Sequence, residues 1–159
     1  MPYDHWSNIL TTMRTKVRAL NFTLTDPLPV NMRKLPSQEE TIDPLPQIII
    51  CPDEQEPKIE RYAFQTPSNP QGTARVTYFS DVIIVASNGG DNVSNLSTFT
   101  TWLQQVSELF SAPTGLSGIT GLQDCRCTNL KFLDRSKVNL DYDYFGICVV
   151  ARVFKSLTG

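Results

Sequence analysis

Apolar residues recur every three or four positions in two stretches of the chain, and this spacing predicts two amphipathic helices. The first helix is predicted over residues 4–20. Its apolar stripe consists of Trp6, Ile9, Leu10, Met13, Val17 and Leu20. The second helix follows a polar loop and ends before Pro113, and Asn95 or Ser97 is expected to cap its first turn. Its stripe consists of Phe99, Trp102, Leu103, Val106, Leu109 and Phe110, which predicts that Trp102 lies in the core.

Apolar runs and alternating apolar and polar positions predict five main strands. These are Gln47–Cys51, Lys58–Thr66, Thr73–Ala86, Asp124–Phe132 and Tyr142–Lys155. In the second strand, Tyr62 and Phe64 are expected to face the core. The third strand is long, and a β-bulge is expected near Ser80–Asp81.

The order of elements is helix, strands, helix, strands, and most neighbouring strands are joined by short turns. Short connections favour hairpins, so the sheet is predicted to be largely antiparallel, with both helices packed on one face. The chain of 159 residues is long enough to bury a core and short enough for one domain. We therefore predict a single α+β domain over residues 1–159.

A proline-rich segment, residues 23–46, interrupts this pattern; we call it the arm. Its prolines exclude a helix and allow at most an edge strand, which we place at Val30–Leu35. Arg33 and Lys34 lie in the middle of the arm, where we expect them to pair with acids such as Asp53, Glu54 and Glu56 of an adjacent subunit. Long loops of this kind are usually functional, so we expect the arm and the loop Asn88–Ser94 to contact other subunits. The alternative is that the arm folds back and protects an edge of its own sheet.

Composition limits the classes of function. A hydrophobic fraction of 40% and a charged fraction of 19% are typical of a soluble globular protein. A net charge of −2 argues against a general nucleic-acid binder, which needs a basic surface. The first residues do not have the pattern of a signal peptide, and the longest apolar runs are too short to cross a bilayer. We expect a protein of a cytoplasm-like compartment without membrane contact.

The cysteines leave two interpretations open. Cys51 and Cys148 lie in apolar runs, where a thiol behaves as a small hydrophobic group. Cys125 and Cys127 would share one face of a strand, and such a pair can bind zinc. A structural zinc site needs about four ligands, however, and the only histidine, His5, is near the other end of the chain. Four free cysteines are therefore the favoured prediction.

Motifs for catalysis are weak. The Gly89–Gly90 loop lies between a strand and a helix, but it lacks the residues of a phosphate-binding loop. His5 has no orienting carboxylate predicted beside it. Asp141 and Asp143 flank Tyr142 and are interpreted as part of a solvated turn. We therefore predict no enzyme activity, no catalytic residues, no cofactor and no metal.

The chain resembles the tail-terminator proteins of long-tailed bacteriophages and related tail-completion and neck proteins. The most specific part is the run from Val82 through Gly89 and Gly90 to Leu103, in which a strand leads through a polar loop into a helix. The first helix, the strand of residues 46–52 and the last strand of residues 144–153 support the resemblance. The Cys-x-Cys pair and the arm have no place in the family pattern.

The resemblance implies a structural virion protein that is made in the bacterial cytoplasm and located at the head–tail junction. It implies a homo-hexameric ring that caps the tail tube, joins the tail to the head-completion or connector proteins, and lets viral DNA pass without sequence-specific binding. The alternatives are a neck or head-completion protein, a dimeric adaptor, and a small ligand-binding or enzymatic domain. The candidate subunit contacts are Arg33, Lys34, Asn88, Gly89, Gly90 and Asp91.

Overall fold

The computed structural model describes residues 5–20, 22, 30–43, 45–63, 72–87, 92–112, 115–130 and 135–156. The two helices are α1 (Trp6–Ala19) and α2 (Asn92–Ser111). The strands are β1 (Val30–Met32), β2 (Gln47–Pro52), β3 (Lys58–Ala63), β4 (Thr73–Ser87), β5 (Leu122–Asn129) and β6 (Tyr142–Ser156). A 3₁₀ turn, Arg135–Lys137, precedes β6.

Strands β4 and β6 form the centre of the sheet and pair antiparallel over 15 residues each, from Thr73 opposite Ser156 to Ser87 opposite Tyr142. The strand order is β1-β2-β4-β6-β5, and β3 pairs with β4 outside this path. All neighbours are antiparallel except β1 and β2, which are parallel. The predicted α+β class, with a largely antiparallel sheet and helices packed against it, is confirmed.

Both helices pack on one face of the sheet, which we call the helical face. Alternate residues of β4, such as Tyr78, Val82 and Ile84, share a buried cluster with residues of both helices. Trp102 in α2 is 6% exposed, and Phe22 stacks on it with ring centroids 5.1 Å apart. The prediction that Trp102 belongs to the core is confirmed.

The opposite face of the sheet, which we call the loop face, is partly covered by the arm. Ile42, Ile49, Ile83 and Tyr142 belong to a second buried cluster there. The backbone N–H of Ile42 donates to the Tyr142 hydroxyl at 3.0 Å, and Asn139 donates from its side chain to a backbone carbonyl of the arm. The described part of the arm is thus attached to its own domain.

Two local predictions were wrong. Helix α2 begins at Asn92, so Asn95 and Ser97 lie inside it and neither is its N-cap. No bulge occurs at Ser80–Asp81, because β4 keeps a regular register there with both β2 and β6. The two polar side chains lie on opposite faces of the regular sheet: Ser80 accepts a hydrogen bond from the Trp6 indole on the helical face at 3.1 Å, and Asp81 lies on the loop face.

All five predicted strands are present, but β5 is displaced from its predicted limits. It begins at Leu122 instead of Asp124 and ends at Asn129, so the described residue Leu130 lies outside it. Strand β3 is irregular between Arg61 and Ala63, and the expected core positions Tyr62 and Phe64 lie outside the described side chains. Strand β1 falls inside the predicted edge strand Val30–Leu35 and occupies its first three residues.

Candidate functional site

The structure describes only some of the predicted subunit contacts. Asn88, Gly89, Gly90 and Asp91 lie outside the described residues. Arg33 is engaged within its own chain: its guanidinium forms an ion pair with Glu40, and its Nε donates to a backbone oxygen at 3.0 Å. Glu40 of the same chain therefore competes with the acids of another subunit for the Arg33 guanidinium.

Lys34, the other predicted contact in the arm, lines a cleft on the loop face with a volume of about 400 Å³. The acidic residues Asp53 and Glu54 line the same cleft, and Lys137 from the 3₁₀ turn closes the other side. Lys34 and these two acids thus line one cleft of the same subunit, whereas the sequence-based prediction paired them between subunits.

At the end of the sheet opposite this cleft, β3 and β5 each have an outer edge whose backbone pairs with no described strand. Lys58 in β3 is in register with Thr77, Thr77 with Arg152, and Arg152 with Asp124 in β5. The sheet is therefore four strands wide there, and no strand in the described part of the chain pairs with the outer edge of β3 or of β5. Ile59 in β3 is 48% exposed, which leaves an apolar side chain at this edge.

Each of these edge strands is tied to an inner strand by an ion pair on the loop face. Arg75 in β4 donates to Glu60 in β3 at 2.6 Å. Arg152 in β6 donates through Nε to Asp124 in β5 at 2.7 Å. The Arg152 guanidinium lowers the pKa of Asp124, so this carboxylate stays ionised over a wider pH range than usual. These pairs fix the edge strands without using their outer backbone groups.

A cluster of carboxyl and thiol groups lies beside the cleft, and three of its members, Cys51, Asp53 and Asp81, line it. Strands β2, β4 and β6 place Cys51, Asp81 and Cys148 side by side, because Asp81 is in register with both cysteines. Asp53, two residues after Cys51, reaches the same point. One donor atom from each of Asp53, Asp81 and Cys148 lies within 4.8 Å of the others, and this is the one such group of three or more donors in the described residues.

Burial dominates the electrostatics of this cluster. Asp81 is 5% exposed, and desolvation, with the adjoining Asp53, raises its pKa to about 8. The pKa values of Cys51 and Cys148 are each raised to about 12, first by burial and then by the nearby carboxylates. The Oδ1 atom of Asp81 is buried and has no hydrogen-bond partner among the described residues.

The Cys-x-Cys pair lies elsewhere. Cys125 and Cys127 in β5 are half-buried on the helical face, and Cys127 lies within hydrogen-bonding reach of Ser107 and Ser111 in α2. Burial raises the pKa of both thiols. All four cysteines are free thiols.

His5, at the start of α1, lines a separate depression with neutral neighbours, including Asn8, Thr12 and Thr120. The depression has a volume of about 220 Å³. Imidazole catalysis generally needs an orienting group, and the described residues that line this depression include no carboxylate.

Comparison with known proteins adds no relative: no protein-family model matches the chain, and a search of curated proteins found no match. Among the described residues, neither helix combines the length and the apolar character that a membrane crossing requires.

Proposed function

We propose that this chain is a ring-forming structural subunit of a phage virion, a tail terminator that caps the tail tube and joins it to the head connector. The observation that carries the proposal is the pair of open edges, β3 and β5, on opposite sides of the same end of the sheet. An open strand edge presents unpaired backbone groups and is a template for pairing with another chain.

The directions of the strands support head-to-tail pairing. Successive strands in the row β3-β4-β6-β5 are antiparallel, so β3 and β5 of one subunit run in opposite directions. If β5 of one copy lies beside β3 of the next, the antiparallel alternation continues from subunit to subunit. A contact between two different surfaces is heterologous, and it forms a closed ring when the rotation per subunit divides a full turn.

The side chains of the β3 edge fit this use. Ile59 offers an exposed apolar side chain to a neighbouring subunit. The charge of Glu60, next to it in the strand, is paired with Arg75 of the same subunit. The arm pairs β1 with the edge of β2, so among the described strands this side of the sheet ends in the three-residue strand β1. Strands β3 and β5, with 6 and 8 residues, offer longer edges to another subunit. The arm thus serves as an edge cover in its described part, and the loop of residues 88–91 remains a proposed inter-ring contact.

An in vitro tail assembly experiment tests the proposal. Purified tail-tube protein is polymerised with wild-type chain, and electron microscopy measures tube length and end caps. We expect capped tubes of limited length. Ile59→Lys places a charge at the exposed β3 edge, where it changes subunit stability by no more than about 0.5 kcal/mol but opposes edge pairing.

Leu140→Lys is the matched control, because Leu140 is 58% exposed in the turn before β6 and is not part of either open edge. The account predicts that Ile59→Lys fails to cap tubes and that Leu140→Lys caps them normally. Equal capping by both variants would remove the β3 edge from the interface. Binding of the wild-type chain to the head connector but not to tubes would instead indicate a neck protein.

A further inference from the structure

We propose that Asp53, Asp81 and Cys148 form a binding site on the loop face for a divalent transition-metal ion such as Zn²⁺ or Co²⁺, with Cys51 beside it. The site goes beyond the proposed structural role and does not depend on it. Its donors come from three separate pieces of chain: the turn after β2, the middle of β4 and the middle of β6.

The spacing of the donors fits one ion. Zinc binds oxygen at about 2.0–2.2 Å and sulfur at about 2.3 Å, so neighbouring ligands of a tetrahedral ion lie about 3.3–3.8 Å apart. The donor atoms of Asp53, Asp81 and Cys148 already lie within 4.8 Å of one another. Side-chain movements of about 1 Å would bring them to ligand distance. The Asp53 carboxylate accepts a hydrogen bond from the Gln55 backbone N–H at 3.0 Å, which holds this side chain in the turn after β2.

Asp81 supplies independent support for a missing partner. Asp81 is 5% exposed, and its Oδ1 has no hydrogen-bond partner in the described part of the chain. Its carboxyl group lies within hydrogen-bonding reach of Asp53 and Cys148, the other two members of the proposed site. A buried carboxylate oxygen without a partner is destabilising, and nearly all such groups in native proteins are paired or bind an ion. A cation in the cleft would satisfy this oxygen.

The kinds of donor select the cation. A thiolate favours zinc and similar softer ions, whereas calcium and magnesium need six or more oxygen ligands and rarely use sulfur. Three donors leave a fourth tetrahedral position. Cys51 is 7% exposed and in register with Asp81, but its sulfur is not among the donors within 4.8 Å of one another, so a water molecule is the expected fourth ligand.

Without a cation this cluster is electrostatically unfavourable. Asp53 and Asp81 bring two carboxyl groups together, and their charges help to raise the pKa of Cys148 to about 12. A bound cation reverses this effect, because it stabilises thiolate and carboxylate together and releases protons to solvent. The bound ion would connect β4, β6 and the turn after β2.

The test uses the whole chain, purified with a reducing agent, stripped with a chelator and titrated with Co²⁺ and then Zn²⁺. We expect one Co²⁺ per chain, with the sulfur-to-cobalt charge-transfer absorption of a thiolate ligand, and displacement of Co²⁺ by Zn²⁺. Thermal unfolding should shift to higher temperature with Zn²⁺, since a ligand that binds only the folded state stabilises it.

Three variants identify the ligands. Cys148→Ser and Asp81→Asn should weaken binding more than about 100-fold, because even changes in groups that only orient metal ligands cost about 10–100-fold. Asp53→Asn, in the partly exposed turn, should also weaken binding and is the variant least able to disturb the fold. With chelator present, the Asp81→Asn variant should unfold at the same temperature as wild type or at a higher one, because the substitution removes a buried acid. This result would show that the variant loses metal binding without losing its fold.

The matched control is the double variant Cys125→Ser/Cys127→Ser, which removes the two thiols on the opposite face of the sheet. It should keep the stoichiometry, the charge-transfer absorption and the thermal shift. The proposal is overturned if wild type binds no Co²⁺ at micromolar concentrations or binds it without thiolate absorption. It is equally overturned if the control variant loses binding while Cys148→Ser and Asp53→Asn retain it.

Discussion

Replacement of Trp102 by alanine tests how α2 is held against the sheet. Trp102 is 6% exposed, stacks on Phe22 at 5.1 Å between ring centroids, and packs at an angle against Phe99 at 5.5 Å. Removing the indole deletes both aromatic contacts and leaves a cavity between α2 and the segment after α1. The expected consequence is a loss of folding free energy without a change of fold.

The magnitude follows from the burial of the ring. A large aromatic side chain buries about 150–250 Å², which at about 25 cal/mol per Å² corresponds to about 4–6 kcal/mol. Partial collapse of the cavity reduces the observed loss, and measured aromatic-to-alanine changes in cores are about 3–5 kcal/mol. We therefore expect Trp102→Ala to lower the free energy of unfolding by about 3–5 kcal/mol.

Urea denaturation followed by circular dichroism measures this value, with Leu96→Ala as the control. Leu96 is in the same helix but is 46% exposed, so its replacement should change stability by less than about 0.5 kcal/mol. A loss below about 1 kcal/mol for Trp102→Ala, or equal losses in both variants, would refute the described packing of α2.

Two further changes test the loop face and the turn before β5. Tyr142→Phe removes the acceptor of the buried Ile42 N–H and should cost about 1–3 kcal/mol in the urea experiment, and an unchanged midpoint would show that the arm is not held there. Gly121→Ala should cost at least about 2 kcal/mol, because φ is +80° and the new Cβ would lie 2.5 Å from the Phe154 carbonyl oxygen. Gly118→Ala, with φ of +103° and no atom within 4 Å of the new Cβ, should cost only about 1–2 kcal/mol, and equal losses would exclude the predicted clash.

Much of the fold is predictable because helical and strand periodicities report which side of an element is apolar. The stripe through Trp102 predicted a helix packed on a sheet, and the structure has it. The predicted start of α2 was too late in the chain, because Asn95 and Ser97 both have side chains that suit an N-cap. The apolar stripe begins at Phe99 and does not show how many helical residues precede it.

The candidate metal site was missed for a different reason. Its proposed ligands Asp53, Asp81 and Cys148 are far apart in the sequence, and Asp81 and Cys148 each lie in an apolar run that also fits a simple buried strand. Only the pairing register brings them together, and register depends on tertiary contacts that the pattern of one strand does not specify. The sequence did offer one signal of the site, which is that Asp81 is a charged residue inside an apolar run. We interpreted this charge as the mark of a β-bulge.

The most direct test of the central claim, a ring built through the β3 and β5 edges, is native mass spectrometry of the purified chain and of Ile59→Lys. The account predicts a wild-type species at six times the subunit mass of 17.9 kDa and a monomer for Ile59→Lys. A wild-type chain that remains monomeric or stops at a dimer across the assembly concentration range would contradict it, as would a ring that Ile59→Lys leaves intact.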